Sequence, residues 1–193
     1  MTEGVVFDVL GTLLDLGRTK DSAELARTLH HATSFTLVEE FAPLSDLARA
    51  VDEKLPDRLA RAKPYDDVDE ALTVLADAGL PAYVLTNGSA AQTRELLRKG
   101  ELLQRFADVF SVEDVRRYKP DPAAYAHAAR AIGHPPSALT FVSAHGWDIL
   151  GAAKAGYRPV WVERDVWPLP RPVPQLRAPD LVEAARLIVA RRG

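Results

Sequence analysis

The sequence predicts an α/β fold: a parallel sheet with helices on both faces and a small helical cap inserted near the start. Three observations predict it. The apolar run Val5-Val6-Phe7, bounded by turn residues, reads as a buried strand that delivers Asp8 to its carboxyl end. From about residue 66 onward, short apolar runs alternate with amphipathic segments, the pattern of a sheet wound with helices on both sides. Between the two lies a block of helical periodicity. The core is therefore assigned to residues 1–15 and 63–193, and the cap to residues 16–62.

After Asp8, Gly11-Thr12 supplies a tight turn and a hydroxyl beside the carboxylate. The chain then turns polar (LDLGRTKDS) before Leu25, Leu29, Ala32 and Thr36 fall on one face, which predicts a helix over residues 21–41, broken by Pro43. Ser45 suits the N-cap of a second helix through residue 55, and Pro56 interrupts or kinks it. Phe35, Leu37 and Leu47 are expected to form the apolar wall of the cap.

The alternation follows. A helix from residue 66 or 67 to about 78 ends at Gly79. Residues 81–85 form a strand ending at Thr86-Asn87-Gly88-Ser89, and a helix runs over 90–99. A short strand at 109–112, a helix at 122–132 closed by Gly133, a strand at 139–143, a helix at 148–155 and a last strand at 159–162 complete a Rossmann-like pattern. In WPLPRPVP, residues 167–174, prolines at every second position demand an extended strap, which leads to a closing helix over 179–191. The strap can also be read as a peptide for a proline-reading module.

Composition narrows the function. The 193 residues suffice for one α/β domain with an appendage, and 47% hydrophobic with 26% charged residues is ordinary for a globular protein. A net charge of −3 with scattered basic residues argues against a nucleic-acid stripe or a polybasic membrane anchor. With no cysteine, disulfides, thiolate catalysis and cysteine-ligated metals are excluded. Met1 to Gly4 lead straight into the first strand and no apolar run is long enough to span a bilayer, so a cytoplasmic protein without nucleic-acid or membrane partners is expected.

In such a sheet, functional residues gather at the carboxyl ends of the strands. Those ends carry Asp8 and Thr12, then Thr86-Asn87, then Lys119, then Ser143 with Asp148. Each has a structural alternative: Asp8 or Asp148 can cap a helix, Thr86-Asn87-Gly88-Ser89 can be a turn with an N-cap, and Lys119 can be a surface lysine. Their joint occurrence in this order favours a site. Lys119 near Asp8 would keep that carboxylate ionised and nucleophilic.

The stretch GVVFDVLGTLLD resembles the first motif of the haloacid dehalogenase superfamily, an apolar strand followed by D-x-x-G-T. VLTNGS, YKPDPAAY and FVSAHGWDILGA are similar to the later motifs of its type II, L-2-haloacid dehalogenases. The cap stretch ARTLHHATSFTLVEEFAPLSDLARAVDEKL matches less well. The resemblance runs to about Arg164. It implies a covalent nucleophile at Asp8, and it singles out Leu10. Phosphatases of the superfamily carry a second Asp there to protonate the leaving group; leucine cannot, whereas a halide leaves without a proton.

The resemblance further implies hydrolytic dehalogenation of short 2-haloalkanoic acids, through an ester on Asp8, with inversion at carbon two. Thr86 and the backbone amides around Val9, Leu10 and Asn87 would hold the substrate carboxylate. Arg27 from the cap, with Asn87, would cradle the halide. Lys119, Ser143 and Asp148 would orient the hydrolytic water, Thr12 would hold the nucleophile, and Tyr125 would line the site. Leu10 replaces a tyrosine usual in the group, and His145 an asparagine; an imidazole there can donate to water or halide. The cap is shorter than usual, which implies a more open site or a bulkier substrate.

With one carboxylate in the fourth motif, no metal or cofactor is expected, and the partners are a 2-haloacid and water. The group commonly forms homodimers, and the altered cap leaves assembly open. Two alternatives stand beside this expectation: a Mg²⁺-dependent phosphatase of small phosphometabolites, and a non-catalytic binding protein on the same fold.

Overall fold

The computed structural model describes residues 1–16, 20–164 and 176–192. In chain order its elements are β1 (Gly4–Phe7), β2 (Leu14–Asp15), α1 (Lys20–Leu37), α2 (Leu44–Val51), α3 (Leu55–Leu59) and β3 (Lys63–Pro64). There follow α4 (Val68–Asp77), β4 (Ala82–Thr86), α5 (Ala90–Lys99), β5 (Asp108–Ser111), α6 (Pro122–Ile132), β6 (Leu139–Ser143), α7 (Gly146–Lys154), β7 (Arg158–Val162), β8 (Arg177–Ala178) and α8 (Leu181–Ala190). No helix among the described residues is long and apolar enough to cross a membrane.

Six strands form one parallel sheet in the order β5-β4-β1-β6-β7-β8. β1 is buried throughout, and its continuous apolar run follows from having both faces covered. Val5 and Phe7 point into a core with Val68, Leu72 and Leu75 of α4 and Leu181 and Ile188 of α8. Val6, between them, faces the other way toward Ala124, Tyr125 and Ala128 of α6. The chain moves outward from β1 through β4 and β5, then crosses to β6, β7 and β8. That reversal between β1 and β6 opens a crevice at the carboxyl ends, where Asp8 emerges.

The helices between β2 and β3 make the cap, whose base is an antiparallel pairing of Leu14 with Pro64 and Asp15 with Lys63. Leu16, Leu25, Ala48, Leu55 and Leu59 form its small interior. Arg58 of α3 reaches both Glu24 of α1 and, at 3.2 Å, Asp52 after α2, which ties the three helices together. The cap also shares a core with the main body: Ala32, Leu44 and Leu47 pack with Phe110, Val112 and Tyr118. The Tyr118 amide donates to Thr36 Oγ1 at 3.1 Å and its hydroxyl to the Ala42 carbonyl, so the cap is bonded to the residue next to Lys119.

Several expectations require correction. α1 stops at Leu37, not residue 41, because Glu39 takes a left-handed φ of 61° and the Glu40 amide turns back to the Phe35 carbonyl, a Schellman closure. Leu37 is consequently 78% exposed and belongs to no apolar wall, whereas Phe35 and Leu47 do pack inward. α2 begins before Ser45, with Pro43 as its N-cap, and ends at Val51; Pro56 lies in the first turn of α3, where a missing amide is harmless. α7 starts at Gly146, which places Asp148 inside its first turn and not at its cap. β7 is followed by a two-residue edge strand, β8, too short for any periodicity to announce. The strap at 167–174 lies outside the described residues.

Candidate active site

The site is assembled from the ends of β1, β4 and β6 and from the loop before α6. Beyond Phe7 the Val9 carbonyl accepts the amides of Thr12, Leu13 and Leu14 within 3.1 Å, a tight turn that Gly11 permits with a φ of 81°. This turn brings the Thr12 hydroxyl to 2.8 Å from Asp8 Oδ2, to which it donates. The Ala144 amide, just after β6, donates to the same hydroxyl oxygen at 3.0 Å and fixes its proton toward Asp8. Opposite, Lys119 Nζ donates to Asp8 Oδ1 at 2.8 Å, Asp148 Oδ2 at 2.8 Å and the Leu85 carbonyl at 3.0 Å, which uses all three of its hydrogens. Asn87 Oδ1 accepts the Lys119 amide at 2.9 Å and so fixes the backbone from which that side chain reaches in.

Asp148 is held from the other side. Tyr125 donates its phenol to Asp148 Oδ1 at 2.5 Å, and the Tyr125 carbonyl accepts the Tyr157 hydroxyl at 2.9 Å. Gly151, one turn along α7, makes room for this: a Cβ there would stand 2.5 Å from the Tyr125 hydroxyl and 2.6 Å from Pro120 Cβ. His145 Nε2 lies 2.7 Å from the Leu10 carbonyl. A carbonyl only accepts, so Nε2 carries a hydrogen, and it is also 3.3 Å from Asp8 Oδ2. Its ring stacks on Trp147 with centroids 5.3 Å apart.

Electrostatics divide the two carboxylates. Burial alone would raise the Asp8 carboxyl, but the positive charge of Lys119 and the contact with His145 outweigh it and hold Asp8 far below the usual carboxylate range. Asp148 is displaced upward by burial and by the Asp8 charge, despite Lys119 and Tyr125. Burial would lower Lys119, and its two carboxylates more than restore it, so it stays charged. His145 behaves likewise, pulled up by Asp8 and the Leu10 carbonyl against its burial. Tyr125 is raised well above its ordinary value by burial and by Asp148, and remains a donor. Asp8 is thus the ionised carboxylate poised at the crevice.

A cavity of about 20 Å³ lies beside Asp8, with room for little more than one water, lined among others by Asn87, His145, Trp147, Leu25 and Leu29. Leu10, Leu44, Thr86 and Gly88 line it as well and also border a neighbouring cavity of about 440 Å³, whose lining includes Val9. The residues singled out in the sequence mostly converge here: Asp8, Thr12, Lys119, Asp148, Tyr125 and His145 in one bonded cluster, with Val9, Leu10, Thr86 and Asn87 around it. Ser143 is buried, and its hydroxyl accepts the His145 amide at 3.1 Å, so it shapes the turn that presents His145. Thr86 Oγ1 accepts the Gly88 amide at 3.0 Å. Arg27 is exposed on α1 and lines neither cavity, so the structure does not bring it to Asp8. Trp147 and Gly151 were not singled out. An aromatic wedged between His145 and Asp148 was the available signal for the first; for the second only the packing of Tyr125 reveals the need.

The donor set does not suit Mg²⁺, which requires near-octahedral oxygen ligands. Lys119 Nζ stands between the two carboxylates, Thr12 takes the remaining oxygen of Asp8, and Tyr125 that of Asp148. Among the described residues no group of three His, Asp or Glu side chains converges as a metal site would need.

Comparison with known proteins agrees with this architecture. The chain is 31% identical to (S)-2-haloacid dehalogenase 4A of Burkholderia cepacia, over 82% of each chain. It is 28% identical to an (S)-2-haloacid dehalogenase of Pseudomonas fluorescens, over 84% of this chain and 85% of that one. Its fold matches the L-2-haloacid dehalogenase of Xanthobacter autotrophicus solved with chloropropionic acid covalently bound, with a TM-score of 0.85, 24% identity, and 97% of this chain and 98% of the other covered. Residues 2–156, which carry β1, the cap and the strand ends of β4 and β6, match the family model of haloacid dehalogenase-like hydrolases, and the chain belongs to that family.

Proposed function

We propose that this chain hydrolyses 2-haloalkanoic acids to 2-hydroxy acids through an aspartyl ester on Asp8, with inversion at carbon two and without a metal or cofactor. The observation that carries the proposal is an ionised Asp8, clamped by Lys119 and Thr12, with leucine and not a carboxylic acid two residues on. In the first step an Asp8 oxygen attacks carbon two from behind, the carbon–oxygen bond forms, and the halide leaves with the bonding electrons. Thr86 and the amides around Val9, Leu10 and Asn87 hold the substrate carboxylate so that the approach is in line. Asn87 and Trp147, which line the cavity at Asp8, receive the halide. Arg27 has no part in that cradle as it stands, and its halide role requires the arginine to move inward.

In the second step water adds to the Asp8 carboxyl carbon, the bond from that carbon to the ester oxygen breaks, and the 2-hydroxy acid leaves. One water proton ends on the product hydroxyl, the other in solvent, and Asp8 regains its carboxylate. Lys119 faces Asp8 Oδ1 and stabilises negative charge growing there, while Asp148, held by Tyr125, keeps Lys119 in place. Ser143 acts through the turn that presents His145. The similarity to (S)-2-haloacid dehalogenases supports this reaction class.

The test is halide release from (S)-2-chloropropionate, with phosphate release from 4-nitrophenyl phosphate as the control, each with and without EDTA. Halide release that survives EDTA and vanishes in Asp8→Asn is the expected result; metal-dependent phosphate release without halide release would overturn it. A single turnover in ¹⁸O water should place label in the Asp8 carboxylate, whereas label confined to the product would replace the ester with direct attack by water.

A further inference from the structure

The 20 Å³ space beside Asp8 and the 440 Å³ cavity next to it share four lining residues, Leu10, Leu44, Thr86 and Gly88, so they adjoin, the smaller as the inner space at Asp8 and the larger as the outer chamber. The outer part lies between the cap and α5. Its lining is mostly apolar, with Leu44, Ala48 and Leu59 from the cap and Leu96 and Ala91 of α5 opposite, beside Ser45 and Gln92. Charged groups in its lining are two cationic, Arg49 and Lys99, and two anionic, Asp57 and Glu95, so the lining carries no net charge to attract a second anionic group. Its volume is in the range that binds a drug-sized ligand, whereas the inner end holds about one water. A two- or three-carbon acid seated at Thr86 would leave the outer chamber unfilled.

We propose that this chamber is a tail site that takes the hydrocarbon chain of longer 2-haloalkanoic acids, of about five to eight carbons. This rests on the dehalogenase reading above and names its substrate class. The acid's carboxylate stays at Thr86 and the amides beside it, carbon two stays at Asp8, and the chain runs out past Leu10 and Leu44. Leu10, lining both spaces, sets the bend between the reacting centre and the tail. A straight apolar chain suits this lining better than a second carboxylate or a sugar, because the walls offer methyl groups from both sides.

The experiment is a chain-length series of (S)-2-bromo acids from propionate to octanoate, read as kcat/KM for bromide release by the full chain. Each methylene that enters the chamber is expected to raise kcat/KM about fourfold, the equivalent of about 0.8 kcal/mol, until the chamber is filled. Ala60→Phe and Ala91→Trp place bulk into the chamber from its two sides, at positions exposed enough to accept it without disturbing a core. Either should lower the octanoate-to-propionate ratio of kcat/KM at least tenfold. Plain octanoate should likewise inhibit bromopropionate turnover more tightly than propionate does, and Ala91→Trp should erase the difference. Turnover of 2-bromopropionate with a ratio that is flat or falls with chain length overturns the tail site and leaves the reaction standing. Absence of turnover on every acid overturns the reaction itself.

Discussion

The geometry around Lys119 makes its removal the most informative perturbation of the fold. Its ammonium is fully buried, and its three hydrogens go to Asp8, Asp148 and the Leu85 carbonyl at 2.8, 2.8 and 3.0 Å. Lys119→Met keeps the length of the side chain and removes the charge. It leaves two carboxylates facing each other in a buried space and one carbonyl without its donor. Breaking a buried ion pair by deleting one partner costs about 3–5 kcal/mol. For a chain of 193 residues each kcal/mol moves the midpoint by about 2–4 °C, so the expected loss is about 6–20 °C.

The pH dependence carries the sharper test of that charge argument. Without Lys119, burial and mutual repulsion raise the folded-state carboxyl values above their unfolded ones. A group raised in this way binds protons more readily when folded, so the variant gains stability as pH falls and loses it as pH rises. The deficit should therefore shrink from pH 8 to pH 5 in thermal or urea unfolding. Lys119→Met with Asp148→Asn should recover about 1–3 kcal/mol, because one of the opposed charges is gone. A deficit below about 3 °C at pH 8, or one that does not change with pH, would refute the assignment of Lys119 as the charge that holds this cluster together.

Three other outcomes follow from the geometry of this cluster and the cap. Tyr125→Phe removes the donor to Asp148 Oδ1 and should cost about 1.5–3 kcal/mol; Gly151→Ala, whose Cβ would meet the Tyr125 hydroxyl at 2.5 Å, should cost about 1–3 kcal/mol. Their double variant should fall short of the sum in a urea cycle, and full additivity would show that Gly151 does not act on Tyr125. His145 has a folded pKa raised above the ordinary 6.5, so its contribution to stability is fully present below 6.5 and lost as pH rises through the folded value. Wild type should consequently exceed His145→Asn by most near pH 5.5 and by progressively less as pH rises above 6.5, and a gap that widens with pH contradicts the assignment. Arg27→Ala should leave stability within about 0.5 kcal/mol, since the side chain is exposed, and should leave kcat/KM for chloropropionate within about threefold; a hundredfold loss would mean that the arginine does swing in to the halide.

The contrast between Arg27 and Lys119 shows which parts of the site were legible in the chain. Lys119 sits beside a helix start marked by Asp121 and Pro122, and the strand ends of β1, β4 and β6 are announced by apolar runs that a parallel sheet buries on both faces. Local chemistry and topology there agree, so placing the strands places Asp8, Asn87, Lys119 and Asp148 together. Arg27 depends instead on the rotation of one amphipathic helix against two short ones. That rotation is set by contacts distant in sequence: Glu24 with Arg58 across 34 positions, and Thr36 with the Tyr118 amide across 82. Helical periodicity names a face and leaves its partner unnamed. Here Leu25 and Ala32 turn inward, and Arg27, two positions on from Leu25, is turned out to solvent. The second of these contacts also joins the cap to Tyr118, the residue before Lys119. Cap packing at Thr36 is thus one backbone step from Lys119, and Thr36→Val is expected to lower halide release in protein that circular dichroism shows to be still folded.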